Sequence, residues 1–523
     1  MVYVLSDEQD IEQINAHGID PDSVKSQLQK FEKGFPFAKL ERPCTVGDGI
    51  QSIQKSDLDR LITKYLQAAS NNRAMKFVPA SGAASRMFKL LLSFNNRYNQ
   101  IDEDYISAEA EKGDPECRAV LKFMGEIKSF AFYEDLTSVM AKDGYDLEAL
   151  LSGHRYKEIL EYVLTPKGLN YADFPKGLIK FHRYPHRSRT PFEEHLVEAE
   201  AYLLDKNRVA RVHFTVSAEY EERIRVHIEE LKACYEGSGL RYEITLSTQK
   251  SSSDTVAVGL DNKPFRDKDG KLVFRPAGHG ALLENLNDLT GDIVFIKNID
   301  NVVPDRLKHE THVYKKALGG YLVELQERIF GYLEILSGND VDEQALRQMF
   351  EFARHELSII PPAAIERSSR KEQIRFLFSK FNRPLRVCGM VQNEGEPGGG
   401  PFWVKHTDNT LSSQIVESSQ VDMESAGQRA IWESSTHFNP VDLVCGMRDY
   451  LGNPFDLSKF TDPDTGFISI KSVDGKELKA LELPGLWNGS MANWNTVFIE
   501  VPLTTFNPVK TVFDLLKEEH QPQ

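Results

Sequence analysis

The sequence lacks the features that mark membrane and secreted proteins. No run of eighteen apolar residues occurs, and a helix needs about that length to cross the hydrocarbon core of a bilayer. The opening residues MVYVLSDEQD carry neither the basic segment nor the apolar stretch of a secretory signal. The five cysteines are odd in number, far apart and without a CxxC pair, which indicates free thiols in a reducing compartment. We therefore expect a soluble, cytoplasmic protein with no membrane partner.

The chain is also short of positive charge. It has 63 Lys and Arg residues against 78 Asp and Glu residues, which gives a formal net charge of -15 at pH 7. This balance argues against broad binding to nucleic acids or anionic membranes, although an acidic protein can still contain a local basic cleft. Any anionic ligand has to be met by a local cluster of cations.

The length of the chain predicts several parts. At 523 residues and 59.4 kDa, it exceeds the size at which one hydrophobic core usually stops growing. Residues 1–73 show apolar positions at helical spacing behind Ser, Asp or Pro, which predicts a helical N-terminal cap. Residues 74–382 predict a core domain with a helical insertion at about 89–170. Residues 383–523 predict a mixed α/β C-terminal region.

Strands alternate with helices between Lys176 and Asp305. The segments RVARVHFTVS, LRYEITLST and GDIVFIKNID read as strands, and the amphipathic segment AEYEERIRVHIEELKACY lies between the first two. This alternation predicts an α/β fold with a mainly parallel sheet and helices on its faces. Ligands of such sheets bind at the carboxyl ends of the strands.

The stretch KFVPASGAASRMFK, from Lys76 to Lys89, joins a predicted strand to a predicted helix through small residues. It matches neither GxxxxGKS/T nor GxGxxG, so an ordinary P-loop or Rossmann fingerprint is not supported. Small residues let backbone N–H groups approach phosphate oxygens, and Arg86 adds a fork of donors. Close packing explains Gly82 and the alanines equally well, so the loop alone does not decide between a phosphate site and an ordinary turn.

Three further segments carry residues that suit phosphate chemistry. Lys176 follows a proline in FPKGL, VFRPAGHGALL joins a glycine-rich turn to a helix, and the strand GDIVFIK runs into NIDN, which contains Asp300. A carboxylate at the carboxyl end of a strand, beside a phosphate site, is a position for a hard divalent cation. A lysine next to a proline is usually just an exposed side chain. Lys176 therefore suggests phosphate binding only in combination with the other segments.

In this order the segments resemble the UDP-sugar pyrophosphorylases, particularly the UDP-N-acetylhexosamine type. Those enzymes carry a glycine-rich loop ending in Gly-Thr-Arg, a Lys-Gly segment, a Pro-x-Gly-Asn/His-Gly turn and a strand ending in Asn-Val-Asp-Asn. ASGAASR, PKG, PAGHG and NIDN are similar to these segments. QIVESSQVD, STHFNPVDLV and LTTFNPVKT resemble the family's Val-Val-Glu-Tyr-Ser-Glu, Phe-Asn-x-x-Asn and Phe-Ser-Pro-Leu-Lys-Asn segments. Together the matches run from roughly Met75 to Lys510.

The resemblance implies an α/β, GT-A-like nucleotidyltransferase fold with a mainly parallel central sheet, a helical N-terminal cap, a helical insertion and a mixed α/β C-terminal region. It implies an enzyme that makes an NDP-sugar and pyrophosphate from a nucleoside triphosphate and a sugar 1-phosphate, with Mg²⁺ as cofactor. The implied catalytic residues are Arg86, Lys176 and Lys510, and the implied metal ligand is Asp300. The implied nucleotide-binding residues are Ala80, Ser81, Gly82, Ala83, Ala84, Ser85, Gln249 and Gly278. The implied sugar-binding residues are His279, Asn298, Glu417 and Asn439.

The chain departs from the family pattern in two places. Ala84 stands where the family has a glycine, and a Cβ atom disfavours positive φ, which puts the shape of the loop and its base preference in question. Lys176 lies 90 positions after Arg86, where the family has a much shorter connection, which implies the helical insertion. These departures indicate a divergent, bacterial family of the kind described only as a domain of unknown function.

Two other functions stay open at this point. A sugar-nucleotide-binding protein with weak catalysis would explain the altered glycine loop, although the joint presence of Arg86, Lys176, Asp300 and Lys510 opposes it. A glycosyltransferase on the same sheet would need an Asp-x-Asp motif at the metal strand, and NIDN holds one carboxylate. The base, the sugar and the oligomeric state stay open as well.

Overall fold

A computed structural model describes residues 8–98, 103–237, 239–338, 341–395, 398–473 and 475–522. The helices are α1 (Glu8–Ala16), α2 (Pro21–Lys33), α3 (Lys55–Ser70), α4 (Lys89–Arg97), α5 (Glu103–Lys112), α6 (Pro115–Gly125), α7 (Tyr133–Lys142), α8 (Leu147–Ser152), α9 (Tyr156–Leu164), α10 (Pro191–Tyr202), α11 (Glu221–Tyr235), α12 (Leu282–Asn287), α13 (Lys308–Ser337), α14 (Glu343–His355), α15 (Ala363–Glu366), α16 (Arg370–Phe381) and α17 (Ala426–Glu433).

The strands are β1 (Leu40–Pro43), β2 (Thr45–Val46), β3 (Gly49–Ser52), β4 (Ala74–Pro79), β5 (His182–Arg183), β6 (Ser188–Arg189), β7 (Val209–Val216), β8 (Arg241–Thr248), β9 (Thr255–Val256), β10 (Phe274–Arg275), β11 (Ile293–Lys297), β12 (Ile359–Ile360), β13 (Leu385–Gln392), β14 (Gly400–Lys405), β15 (Leu411–Val416), β16 (His437–Phe438), β17 (Asp442–Gly446), β18 (Phe467–Val473), β19 (Lys476–Glu482) and β20 (Asn495–Glu500). Among the described helices, none combines the length and the apolar character needed to span a membrane.

The chain forms two compact units, each built from separate segments. Unit one consists of Met1–Phe77, Ser247–Ile296 and Val313–Leu503, and unit two of Val78–Leu246, Lys297–His312 and Thr504–Gln523. The division at 1–73, 74–382 and 383–523 expected from the sequence follows the linear order of the chain, whereas these units do not. Strands β4 and β11 each cross from unit one into unit two near their carboxyl ends, so the unit boundaries do not follow the linear order of the elements.

Unit one contains a mixed sheet with the strand order β2-β3-β20-β13-β17-β11-β4. Strands β3, β20 and β13 are parallel neighbours, and β11 is parallel to β4 with Ile293 opposite Ala74, whereas β17 is antiparallel to β13. The mixed α/β fold with a mainly parallel central sheet is therefore confirmed. A second, antiparallel sheet has the order β1-β14-β15-β12.

The N-terminal region is only partly the predicted helical cap. Helices α1, α2 and α3 form, but three short strands, β1 to β3, lie between α2 and α3. Leu40 and Ile50 in these strands are buried, while their strand neighbours are partly or fully exposed. These strands form by pairing with partners distant in the chain, β1 with β14 and β3 with β20, so local helical spacing did not predict them. The first seven residues of the predicted cap lie outside the described residues.

Unit two has a helical layer where the insertion is predicted. In the described part of this segment, six helices, α4 to α9, lie between Lys89 and Leu164, and one large apolar cluster joins them. The C-terminal segment enters the same cluster, because Val509, Val512 and Leu515 are buried in it with Phe88. Residues 99–102 of the insertion lie outside the described residues. The burial of Val509 and Val512 in this cluster fixes the backbone on both sides of Lys510.

The glycine pair in α13 is explained by a close helix contact in unit one. A Cβ atom on Gly319 would lie 2.5 Å from the ring of Tyr65, and one on Gly320 would lie 2.0 Å from the backbone oxygen of Leu61. Both partners belong to α3, so the two helices can approach only where side chains are missing. Gly331, farther along α13, would meet nothing within 4 Å.

We expect Gly320→Ala to lower the free energy of unfolding by about 1–3 kcal/mol, because the added methyl group has to displace the backbone of α3. Gly331→Ala is the matched control in the same helix and should raise stability by about 0.5–1 kcal/mol through helix propensity. Urea denaturation followed by circular dichroism measures both. Equal effects of the two substitutions would show that the α3–α13 contact is not as close as described.

Candidate functional site

Two lysines converge on one carboxylate in unit two. The Nζ atom of Lys176 lies 2.8 Å from Oδ2 of Asp300, and the Nζ atom of Lys510 lies 3.2 Å from the same oxygen. The side chains of Lys176 and Asp300 are 12% and 10% exposed, whereas that of Lys510 is 56% exposed. The three residues predicted to handle phosphate and metal are thus in direct contact, with Lys510 facing solvent.

Asp300 is held by its backbone on several sides. It follows β11, and the N–H of Ile299 donates to the carbonyl of Pro79 at 3.3 Å. The Nε2 atom of His195 lies 3.2 Å from the carbonyl oxygens of both Asn298 and Ile299, so a proton on that nitrogen would be shared between them. His195 therefore positions the backbone turn that presents Asp300.

Lys176 stands at the start of a single helical turn, Lys176–Leu178, that contacts the small-residue loop. Its N–H donates to the carbonyl of Gly82 at 3.2 Å, and Ala84 N–H donates to Phe174 at 2.8 Å. The next residue, Gly177, is required by packing, because a Cβ atom there would lie 2.6 Å from the ring of Phe192. The position of Lys176 thus depends on the loop on one side and on α10 on the other.

Lys510 is fixed by a capping carboxylate. The Oδ2 atom of Asp514 accepts hydrogen bonds from the N–H of Lys510 at 2.9 Å and of Thr511 at 2.7 Å. Just before it, the N–H of Asn507 donates to the side chain of Asn301 at 3.0 Å. Because Asn301 is the neighbour of Asp300, the segment that carries Lys510 is tied to the turn that carries its partner.

The loop from Ala80 to Arg86 presents an open surface. Ala80 and Ala84 are buried, whereas Ser81 to Ala83, Ser85 and Arg86 are exposed. A Cβ atom on Gly82 would meet no atom of the described chain within 4 Å, so packing does not explain this glycine. Arg86 has neither a hydrogen bond nor an ion pair with any described residue, and its guanidinium is available to a ligand.

The alanine that departs from the family pattern causes no strain. Ala84 begins a single turn of 3-10 helix, Ala84–Arg86. In the described part of the chain, no loop residue from Ser81 to Arg86 is among those with positive φ. Since the penalty for a Cβ atom arises only at positive φ, the loop in this chain does not need a glycine at this position.

The charges of the cluster influence one another. Burial acts to raise the pKa of Asp300, but the ammonium groups of Lys176 and Lys510 outweigh it and hold this pKa below its ordinary value. Burial lowers the pKa of Lys176, although Asp300 opposes the shift. Lys176 is therefore a desolvated cation that one carboxylate does not fully compensate, and a second anion would stabilise its charge.

A divalent cation fits one atom of this cluster. The Oδ1 atom of Asp300 is buried and has no hydrogen-bond partner among the described residues. Within the same described residues, no three His, Cys, Asp or Glu side chains form a complete metal site. Mg²⁺ does not need one, because it is commonly bound through one or two carboxylates together with substrate phosphates. The chemistry of Asp300 is thus compatible with the predicted role.

A second group of predicted residues lies in unit one around His279. Its ring stacks on Trp487 with centroids 4.1 Å apart, its Nδ1 accepts the N–H of Leu486 at 3.0 Å, and its Nε2 lies 3.8 Å from a carboxylate oxygen of Glu417. Burial lowers the pKa of His279, and the nearby glutamates only partly oppose this. The neutral ring then carries its proton on Nε2, next to Glu417.

The remaining predicted residues have distinct settings. Gly278 has φ +74°, and a Cβ atom there would lie 2.6 Å from Glu482, so both backbone and space favour glycine. Asn439 is buried, its Oδ1 accepts the N–H of Val441, and its Nδ2 has no partner among the described residues. Gln249 is half-buried and donates to Asp254 at 3.3 Å. Asn298 is half-buried and belongs to unit two.

Three residues with a role in this geometry were not predicted from the sequence. Asp514 had a readable signal, because TVFD from Thr511 has the Ser/Thr-x-x-Asp/Glu spacing of a capping box. His195 and Phe192 had none. They lie in α10, in which nine residues from Pro191 to Tyr202 are buried. Because several of these residues are Glu or His, the sequence did not predict that the helix is buried.

The chain belongs to the family described as "Domain of unknown function (DUF4301)", whose model matches residues 7–521. This confirms the expected membership in a family of that kind, whereas a bacterial origin stays a prediction. No curated protein sequence matches the chain.

Several solved structures are similar to it. The uridine diphosphate N-acetylglucosamine pyrophosphorylase of Trypanosoma brucei, in complex with an inhibitor, has a TM-score of 0.48 at 11% identity, over 98% of this chain and 79% of that one. A UDP-glucose phosphorylase of Trypanosoma brucei has a TM-score of 0.42 at 12% identity, over 98% and 80%. A mutant UDP-glucose pyrophosphorylase of Leishmania major, in complex with UDP-glucose, has a TM-score of 0.44 at 10% identity, over 99% and 82%. All three TM-scores lie below 0.5, so these similarities do not assign a function to the chain.

We expect Asp300→Asn to lower the free energy of unfolding by about 3 kcal/mol at pH 7, because a buried cation loses its counter-ion. The double variant Lys176→Met with Asp300→Asn should recover a large part of this loss, since no buried charge remains. The pKa of Asp300 is lowered in the folded protein, so its contribution is present above the ordinary carboxyl pKa and disappears as pH falls through the lower folded value.

Chemical denaturation at pH 7 and at pH 3 measures this effect, with the exposed Asp173→Asn as the control that should change stability by less than about 0.5 kcal/mol. A double variant as unstable as Asp300→Asn alone would contradict the buried ion pair.

Proposed function

We propose that the protein is a nucleotidyltransferase that forms an NDP-sugar and pyrophosphate from a nucleoside triphosphate and a sugar 1-phosphate. The observation that carries this proposal is the convergence of Lys176 and Lys510 on Asp300, in the same unit as an open small-residue loop that ends in Arg86. Lys176, Lys510 and Arg86 supply three cations, and Asp300 supplies one carboxylate. These are the groups needed to hold a polyphosphate in line with an attacking oxygen.

The reaction needs no protein base. A phosphate oxygen of the sugar 1-phosphate attacks the α-phosphorus of the triphosphate, and the bond from that phosphorus to the bridging oxygen of pyrophosphate breaks. Because the attacking oxygen is already anionic at neutral pH, no proton has to be removed from it. Catalysis then consists of alignment and of charge neutralisation in a partly desolvated site.

The two lysines have complementary roles in this proposal. Lys176 is buried and fixed by the loop and by α10, so it would hold the α-phosphate in place as negative charge develops there. Lys510 is 56% exposed, so it can leave Asp300 and follow the phosphate of the incoming sugar. Each lysine would exchange its contact with the carboxylate of Asp300 for a contact with a phosphate oxygen. Its ammonium group would then have an anionic partner both before and after the substrates bind.

Arg86 and the loop would bind the rest of the nucleotide. The exposed backbone from Ser81 to Ala83 can approach phosphate oxygens closely because Gly82 leaves its outer side open. The guanidinium of Arg86 would pair with the β- and γ-phosphates of the leaving pyrophosphate. Asp300, through its unpartnered Oδ1, would hold Mg²⁺, which when bound neutralises and aligns the phosphates.

The residues of unit one would supply recognition of base and sugar. Within unit one, Gln249 and Gly278 are proposed for the base, and His279, Glu417 and Asn439 for the sugar. The sugar-binding role of Asn298 stays a prediction from the family resemblance. His279 would donate from Nε2 to a sugar hydroxyl, since its Nδ1 accepts a backbone N–H. Glu417 would accept from a neighbouring hydroxyl, and the unpartnered Nδ2 of Asn439 is a further donor.

We expect Lys510→Ala to reduce kcat about 10²–10³-fold, because one cation that stabilises the developing charge is lost. The side chain is 56% exposed, so its removal should leave the unfolding free energy within about 0.5 kcal/mol of the wild type. Pyrophosphate release measures the rate, and thermal denaturation checks the fold. Lys206→Ala, an exposed lysine of the same unit, is the control.

Lys176→Ala and Asp300→Ala should each remove most of the activity as well. Near-wild-type pyrophosphate release by any of the three variants would reject this assignment of the site.

The substrates are found by screening nucleoside triphosphates against sugar 1-phosphates with Mg²⁺ and measuring pyrophosphate. We expect one pair to react, since the site contains the groups for the chemistry but the residues do not name the base or the sugar. Calorimetry with NDP-sugars runs in parallel. Tight binding of an NDP-sugar without turnover in any mixture would instead support the sugar-nucleotide-binding protein.

A further inference from the structure

Unit one contains a cavity of about 550 Å³ that the proposed reaction does not use. It opens where β13 and β20 begin, and its walls include Arg383, Lys380 and Asn495. Ligand sites in proteins usually have volumes of about 300–1,000 Å³, so the cavity has the size of a site for a small organic molecule.

The lining of the cavity does not include the residues proposed for the reaction, but two of its members, Val416 and Gln420, adjoin Glu417, whose N–H donates to Oε1 of Gln420 at 2.9 Å. Among the described residues that line it, none is a predicted nucleotide-binding, sugar-binding, catalytic or metal-binding residue. Asn439 comes directly after β16, whose residue Phe438 pairs with Val391 at the carboxyl end of β13. The cavity lies at the amino end of the same strand, whereas substrates of parallel sheets bind at the carboxyl end.

The basic wall of the cavity has more cations than counter-ions. Lys380 pairs with Asp408 at 2.8 Å. The guanidinium of Arg383 donates only to backbone carbonyls, from Nε to Ser379 at 2.8 Å and from Nη1 to Asn493 at 3.3 Å. Within the described chain, no carboxylate lies at ion-pairing distance from Arg383. At the rim, Lys405 is exposed and likewise has no ion pair there.

Two acidic residues that also line the cavity, Asp462 and Asp464, have contacts of their own. Asp462 accepts the N–H of Asp464 at 3.0 Å, and Asp464 lies 3.7 Å from Lys30. Among the described residues, neither of these carboxylates lies at ion-pairing distance from Arg383. Burial lowers the pKa of Arg383 and of Lys380, although Asp408 opposes both shifts. Burial and the two cations also lower the pKa of His406, against Asp408 and Asp462. A partly buried cation without a counter-ion is costly, and an anion placed beside it removes that cost.

The rest of the lining suits a polar organic molecule rather than a bare ion. Gln414 donates to Ser412 and to the backbone of Ala492, which fixes its amide at the wall. Ile359 and Phe37 add apolar surface, and the ring of Phe37 is 53% exposed. Hydroxyl groups and carbon atoms of a ligand both find partners in such a lining.

We propose that this cavity is a second, non-catalytic ligand site for a small hydroxylated organic anion, whose phosphate or carboxylate group pairs with Arg383. The guanidinium offers a planar fork of donors that matches either anion. The exposed Lys405 adds attraction at the entrance. The site does not depend on the proposed function, because its residues take no part in the reaction.

The test is calorimetry on the full chain with three probes: inorganic phosphate, glucose 6-phosphate and citrate. We expect glucose 6-phosphate or citrate to bind more tightly than inorganic phosphate, because only they fill the polar and apolar lining. Tighter binding of glucose 6-phosphate identifies a phosphate ligand, and tighter binding of citrate a carboxylate ligand. Arg383→Gln should weaken the binding about tenfold or more. Arg375→Gln, an exposed arginine of α16, is the matched control and should leave it unchanged.

A second variant keeps the test decisive if Arg383→Gln does not fold. Lys405→Gln changes only an exposed side chain and should weaken binding about two- to fivefold through the lost charge at the entrance. Lys176→Met separates this cavity from the proposed phosphate site and should leave the affinity as it is. Three outcomes overturn the proposal: no probe binds at millimolar concentration, Arg383→Gln and Lys405→Gln bind as the wild type does, or the binding disappears in Lys176→Met.

Discussion

The structure of unit two depends on how one carboxylate, Asp300, compensates two ammonium groups. Burying Lys176 costs free energy that its single counter-ion only partly restores, as the lowered pKa of Lys176 indicates. The surrounding chain is arranged to keep this contact: the small-residue loop holds the backbone of Lys176, α10 supports the turn before Asp300, and Asp514 caps the segment that carries Lys510. A purely structural ion pair would need none of these. An arrangement that leaves a cation under-compensated, with one partner open to solvent, is suited to exchanging the carboxylate for another anion.

The members of this cluster were predicted from the sequence, whereas the residues that support them were not. Lys176, Asp300 and Lys510 lie in short segments whose local residues suggest phosphate or metal binding, and each could be named from those segments and the family resemblance. Their contact could not, because the partners are separated by 124 and 210 positions in the chain. The burial of α10 was equally hidden. Its Glu194 is fully buried because His182, Lys308 and Arg189 surround it, and such partners, distant in sequence, decide whether a charged residue lies inside. The alternating strands and helices after Lys176 were predictable, since periodicity is local, whereas the division into two discontinuous units was not.

Ala84 shows how a local rule can be sound and still mislead. A glycine in a phosphate loop suggests positive φ, and its replacement suggests a damaged loop. Here the loop turns through a short 3-10 segment with ordinary φ values, and the methyl group of Ala84 is buried in the apolar core of unit two. The alanine therefore contributes packing where a glycine would contribute none. Ala84 by itself therefore does not indicate a damaged loop.

On the proposed function, this acidic chain would bind anions against its own net negative charge. With a net charge of -15, its long-range field repels phosphates and carboxylates, but at physiological ionic strength this field decays over about 8 Å. Binding then depends on charges within a few ångströms of the ligand, and desolvated cations act most strongly there because the local dielectric is low. Lys176 and Arg383 are both of this kind: each is partly or largely buried, each has a pKa lowered by burial, and each lacks full compensation. The cost of keeping such cations inside the fold limits how many a protein can hold. Their presence at two places in one acidic chain is consistent with the two proposed ligand sites, since neither cation is fully compensated within the described chain.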